Sequence, residues 1–221
     1  MPRNLSEADV KAFRDRLCRA AERRFAAHGA QGVSMRQLAA ELGCAATTPY
    51  RYFADKDEIL AAVRAAAFDR FAAALEEANT ASGDARAKSR AVGEAYLRFA
   101  MSEPDAYRLM FDMAQPDENR FPDLKRATAR ARRTMTAYIE GLVREGWIKG
   151  DPKLLGYVFW AGIHGLVVLH LAGKLGGAPD FATLHRTMMR LLAEGTFAPQ
   201  AAPQQDMSQQ RPPRRAAGRR R

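Results

Sequence analysis

Between residues 47 and 52 the chain gathers side chains whose chemistry suits a nucleic acid: Thr47, Thr48, Tyr50, Arg51 and Tyr52. A threonine hydroxyl bonds base edges or phosphates, and its methyl meets the methyl of thymine. Arg36, a short way upstream, is placed for a groove or phosphate contact. Such side chains read DNA only when a short helix presents them, and the surrounding spacing predicts one. Ser34 and Gln37 have the spacing of a capping box, so a helix starts at Ser34. Gly43 stops it, as a residue free to enter the left-handed region does. A second short helix runs through Tyr50, Tyr52 and Phe53, and Asp55 with Glu58 repeats the capping spacing for a third. Two short helices about a glycine turn, the second carrying Thr, Tyr and Arg, describe a helix-turn-helix.

The stretch resembles the N-terminal domain of the TetR/AcrR transcriptional regulators, with Leu38, Ala39, Gly43, Tyr50, Phe53 and Lys56 in the family's pattern. The resemblance covers roughly the first 60 residues. It implies that Thr47, Thr48, Tyr50 and Arg51 meet bases and that Tyr52 and Lys56 grip the phosphate backbone. Tyr50 also has a packing reading, and Phe53 is expected in the core. Cys44 and Ala45 depart from the family's Val and Ser after the turn glycine. Ala45 has no side chain with which to cap a helix, and Pro49 fits only a first turn. The expected solution is a cap at Thr47 and a recognition helix of barely two turns, from about Thr48 to Phe53.

A second group of residues lies far downstream. Trp160 and His164 are one turn apart on a helix, and Gly162 and Gly165 weaken that helix unless another backbone comes close. Two readings stay open: a tightly packed core or dimer seam with a satisfied histidine, or the border of an effector cavity. The run Trp-x-x-x-His-Gly resembles the WHG-type C-terminal class of the same family. Pro104, Tyr107, Met110 and Phe111 fit that class too. The resemblance implies a homodimer whose last two helices form a four-helix seam. It also implies a small lipophilic or amphipathic effector, bound beside Tyr107, Met110, Phe111, Trp160 and His164, that releases the protein from a near-palindromic double-stranded operator. The alternative is a DNA-binding structural or adaptor protein that senses no small molecule.

Around these groups the periodicity is helical throughout, so the fold is expected to be all-α. A three-helix DNA-binding domain over 1–56 is joined by a long helix to a C-terminal helical bundle over 57–195. Val10, Phe13, Leu17, Ala20, Ala21 and Phe25 give the first helix, residues 6–28, an apolar stripe, while Arg14, Arg16, Arg19, Arg23 and Arg24 read as its solvated side, with one or two of them placed to touch phosphates as the alternative. Proline, glutamine and arginine make 196–221 a disordered basic tail. Six arginines against Asp206 place half of the net charge of +10 in the last 24 residues. The basic balance therefore fits a polyanionic partner without arguing for a specific one.

Several functions lack support. No phosphate-binding glycine loop, nucleophile elbow or paired Glu-x-x-His motif occurs, so no enzyme and no cofactor is expected. The histidines lack ligand spacing, so no metal site is expected. Cys18 and Cys44 read as small buried residues, with redox chemistry at Cys44 as the sharper alternative. No signal peptide and no uninterrupted apolar span is evident, and the run around 156–171 carries His164, His170 and glycines. A cytoplasmic protein without a membrane partner is expected.

Overall fold

Local capping sets the helix starts. The computed structural model describes residues 6–111, 117–177 and 179–195. Ser6 caps α1 (Glu7–His28) through a reciprocal bond with Asp9. Ser34 and Gln37 form the expected reciprocal box at the head of α2 (Met35–Glu41). Gly43, at φ 65°, lets Gly43 and Cys44 return their N–H groups to Ala40 and Ala39, which closes that helix. Asp55 caps α3 (Lys56–Asn79), but Glu58 bonds the N–H of Ala54 rather than that of Asp55, so the predicted box is displaced by one residue. Each such cap contributes about 1 kcal/mol.

The remaining helices are α4 (Ala85–Ser102), α5 (Pro104–Phe111), α6 (Pro122–Arg144), α7 (Pro152–Leu171) and α8 (Phe181–Gly195). No strand occurs among the described residues, and the architecture is all-α. Met113, Pro116 and the basic tail lie outside the described residues, as does the expected disorder of that tail.

Two cores share α3. Phe13, Leu17, Phe25, Leu38 and Phe53 pack with Ile59, Leu60 and Val63 at its start. Phe68, Phe71 and Leu75 further along pack with α4, α5 and α6. α5 also faces both ways: Tyr107 and Met110 enter the second core, while Leu109 enters the first. Arg64, buried at 2% exposure, ties α3 to α5 by bonding the Met110 carbonyl at 3.4 Å, and pairs with Glu118 at 3.3 Å.

α7 departs from its sequence reading. It is long and apolar enough to cross a membrane by length and composition alone, yet only 22% of its most apolar window is buried. Leu154, Tyr157, Val158, Val168 and Leu169 are exposed. Neither of its two marked glycines meets a neighbouring backbone within the described chain. A Cβ on Gly162 would meet side chains of Leu192 and Met188, and one on Gly165 would meet nothing within 4 Å. The close approach occurs at Gly156, where a Cβ would lie 2.8 Å from the Thr136 side chain and 3.2 Å from its Cα.

Candidate nucleic-acid interface and effector region

The recognition segment is shorter than its sequence predicts. Only Pro49–Arg51 is helical, as one 3-10 turn, and Thr48 rather than Thr47 stands at its head without a side-chain cap bond. The cause is Pro49. A regular helix from Ala45 needs the residue-49 N–H to bond the Ala45 carbonyl, and proline has none. The N–H of Thr48 takes that carbonyl instead, at 2.8 Å, and Arg51 bonds Thr48 at 3.1 Å. The result is a chain of three-residue turns anchored by the buried Pro49 ring.

That turn projects its polar residues outward. Thr47, Arg51 and Arg36 are exposed, Thr48, Tyr52 and Lys56 are half-buried, and Tyr50 is 56% exposed. Tyr50 therefore does not take its packing alternative in the single chain, whereas Phe53 is core at 2% exposure. Tyr52 stacks on Phe13, with ring centroids 4.2 Å apart. Among the described residues Arg36, Arg51 and Lys56 make no ion pair, which leaves their charge for phosphates. The arginines of α1 differ. Arg14 donates to the Tyr52 carbonyl, lies 3.9 Å over the Phe53 ring and pairs with Glu58. Arg23 and Arg24 both clasp Glu41 on α2, holding its carboxyl below the usual range. What reads as a solvated face is in part a clamp on the helix-turn-helix.

In the C-terminal half, Tyr107, Met110, Phe111, Trp160 and His164 do come together. The Tyr107 hydroxyl lies 2.6 Å from that of Tyr96 and 2.7 Å from His164 Nδ1. Phe111 meets the His164 ring at 4.6 Å and Trp160 at 6.1 Å. Burial pushes both tyrosines well up and His164 down, so all three are neutral near pH 7. Sequence reading misses Tyr96, which completes this chain of hydroxyl, hydroxyl and imidazole; its one signal is an aromatic on an apolar helix face.

Ring contacts hold this cluster together. A cavity of about 1030 Å³ lies elsewhere in the same half, between α4 and α8 over a floor of Leu142, Ile148 and Phe159, and none of the five expected effector residues lines it. A smaller cleft of about 520 Å³ separates α1 from α3 beside Cys18 and Arg70. Burial pushes the Cys18 thiol up to about 11, which makes it unreactive. Cys44 is half-buried, with Sγ 3.5 Å from the Ala39 carbonyl. Among the described residues no three His, Cys, Asp or Glu side chains gather as metal ligands would.

Comparison with known proteins is consistent across both halves. Residues 17–63 match the profile of bacterial regulatory proteins of the tetR family, and residues 89–192 match the tetracyclin repressor-like C-terminal domain. The HTH-type transcriptional regulator Rv1816 of Mycobacterium tuberculosis is 23% identical over 178 residues, covering 67% of this chain and 76% of the relative. A solved protein of unknown function from Rhodococcus sp. RHA1 is 27% identical with a TM-score of 0.71, over 89% of this chain and 98% of that one. The transcriptional regulator FadR of Bacillus subtilis, solved in complex with stearoyl-CoA, shares the fold with a TM-score of 0.69 at 18% identity, over 82% and 98% of the two chains.

Proposed function

We propose that this chain, which belongs to the tetR family of bacterial regulatory proteins, represses transcription as a homodimer that a small-molecule effector releases from a near-palindromic operator. The observation that carries the DNA reading is the 3-10 turn at Pro49–Arg51, clamped from behind by Arg14 and presenting Thr47, Tyr50 and Arg51 to solvent. Thr47, Thr48, Tyr50 and Arg51 meet base edges. Arg36, Tyr52 and Lys56 hold phosphates, fixing register without specifying sequence. The DNA-binding unit is residues 1–56 and the effector and dimerisation unit 57–195, with α3 packing into both cores. Such a protein works in the cytoplasm.

The exposed apolar stripe of α7, with Leu191 of α8 beside it, supports a dimer seam. An exposed contiguous apolar face of this kind marks an interaction surface. Gly165 lies on α7 close to Val168 and Leu169, with open space at its Cβ. A partner helix filling that space supplies the close approach that is absent within the single chain. Gly165→Leu is accordingly expected to split the dimer, read by light scattering, while leaving the monomer folded.

Coupling between the halves runs through α5 as well as α3. Leu109 sits in the DNA-binding core, one residue from Met110 and two from Tyr107 in the other. The cluster of Tyr107, Met110, Phe111, Trp160 and His164 is the part we propose to respond to effector, since a ligand bound in the same half shifts its packing and with it α5. Effector and operator then weaken each other by linkage. The test is binding to the DNA upstream of the protein's own gene, at physiological salt with competitor DNA. Tight selective binding supports the regulator; weak, salt-sensitive binding to every sequence argues against a specific operator there.

A further inference from the structure

We infer that the cavity between α4 and α8 is a binding site for an amphiphile with an anionic head group and an apolar body. The inference rests on reading the C-terminal half as effector-binding, and it names both place and chemistry. The floor is apolar: Leu97, Leu142, Ile148, Phe159, Phe181 and Met189 line the space. Its volume of about 1030 Å³ lies at the upper end of the range for small-molecule pockets.

The rim is cationic. Arg86 and Arg90 come from one face of α4, and Arg186 and Arg190 from one face of α8. Two carboxylates share the lining, but Glu94 pairs with Arg98 at 4.0 Å and Glu194 with Arg190 at 3.9 Å. Arg86 lies 5.2 Å over the Trp147 ring, and Arg186 bonds Thr183 Oγ1 at 3.0 Å. Arg86, Arg90 and Arg186 thus line the cavity with no carboxylate partner among the described residues. Guanidinium groups that line one cavity fit a carboxylate or a phosphate, which they bind through charge-assisted bonds.

A third observation is independent of the charge. His185 lines the same cavity, and its Nε2 is buried without a hydrogen-bond partner. Such an atom carries a desolvation cost, which marks this wall as imperfectly packed. The helix that carries it, α8, rests on α7 through Met188 and Leu192. An occupant would cover Phe181 and Met189 and tie α8 to α4.

The structure supplies its own blocking variant. Gly93 lines the cavity from the middle of α4, and a Cβ there meets nothing within 4 Å. Leucine at this position points into the cavity and is a better helix former than glycine, so Gly93→Leu is expected to fold.

The experiment titrates the full-length protein with dodecanoate, dodecyl phosphate and dodecanol, each below the concentration at which it forms micelles. Both anions are expected to bind, and dodecanol at least tenfold more weakly. Arg90→Ala with Arg186→Ala is expected to weaken the anions at least tenfold and leave dodecanol unchanged. Gly93→Leu is expected to abolish binding of all three while melting no lower than the wild type. Dodecanol binding as tightly as the anions would overturn the proposal, and so would unchanged binding by a folded Gly93→Leu variant or a change in its oligomeric state. If dodecanoate occupies the cavity yet leaves operator affinity unaltered, the site stands and effector release through it falls. If no probe binds while the upstream DNA is held selectively, the regulator stands and this site falls.

Discussion

The C-terminal half has two sides that use similar residues to opposite ends. On one, Tyr96, Tyr107, Phe111 and His164 interlock around α5, with each hydroxyl bonded. On the other, Phe159, Phe181 and Met189 line an open volume beneath a rim of arginines. The packed side uses its aromatic surface for stability and for joining α5 to the DNA-binding core. The open side leaves part of its apolar lining beside open volume, where a further molecule can cover it. Stability and ligand affinity are therefore expected to respond to different residues.

The largest expected effect lies on the packed side. Tyr107→Ala removes a ring that is 1% exposed and is expected to cost about 3–5 kcal/mol in urea unfolding. Phe181→Ala, on the half-buried wall of the cavity, is expected to cost less than about 1 kcal/mol. Equal costs would break the distinction. Next, Tyr107→Phe keeps the ring but strips the Tyr96 hydroxyl and His164 Nδ1 of their shared partner, for an expected loss of about 1–3 kcal/mol.

Glycines sharpen the contrast. Gly156→Ala would press its methyl against Thr136 on the packed side and is expected to destabilise by about 1–3 kcal/mol. Gly93→Ala, with open space at its Cβ, is expected to stabilise by up to about 1 kcal/mol. Thermal melts of the two variants should move in opposite directions.

The smallest effect is a pH dependence. Burial lowers the His164 pKa, as it does that of His185, so the unfolded chain binds these protons more readily. Stability contributed by the neutral rings is present above the unfolded value of about 6.5 and is lost as pH falls below it towards the lower folded pKa. His164→Gln should flatten the fall in melting temperature between about pH 7 and pH 5; an unchanged slope would place the effect elsewhere.

How far such contrasts are legible in sequence depends on how local their causes are. The box at Ser34 and Gln37 and the glycine stop at Gly43 need only neighbouring residues, and both take their expected form. Pro49 is legible as a difficulty, but its consequence, a 3-10 turn headed by Thr48, depends on which carbonyl the Thr48 N–H takes. Arg64 is invisible to pattern reading because an arginine on an apolar helix face reads as an interruption, and only the tertiary fold brings the Met110 carbonyl and Glu118 to it. The pairing of Trp160 with His164 is legible as one face of a helix, and its packing partners through the family's second motif. The cavity is not, because it is a gap between α4 and α8, two helices far apart in the chain that no local pattern sets side by side. The motif residues around Tyr107 mark only the filled side.

DNA reading by the face around Pro49–Arg51 is tested by operator affinity of the variant carrying Tyr50→Ala and Arg51→Ala. Both side chains are exposed, so the melting temperature should stay within about a degree or two of wild type, as for surface changes of about ±0.5 kcal/mol. The expected result is at least a hundredfold loss of affinity for the upstream DNA in the presence of competitor. Unchanged affinity in a folded double variant would contradict the account and place DNA recognition on another surface.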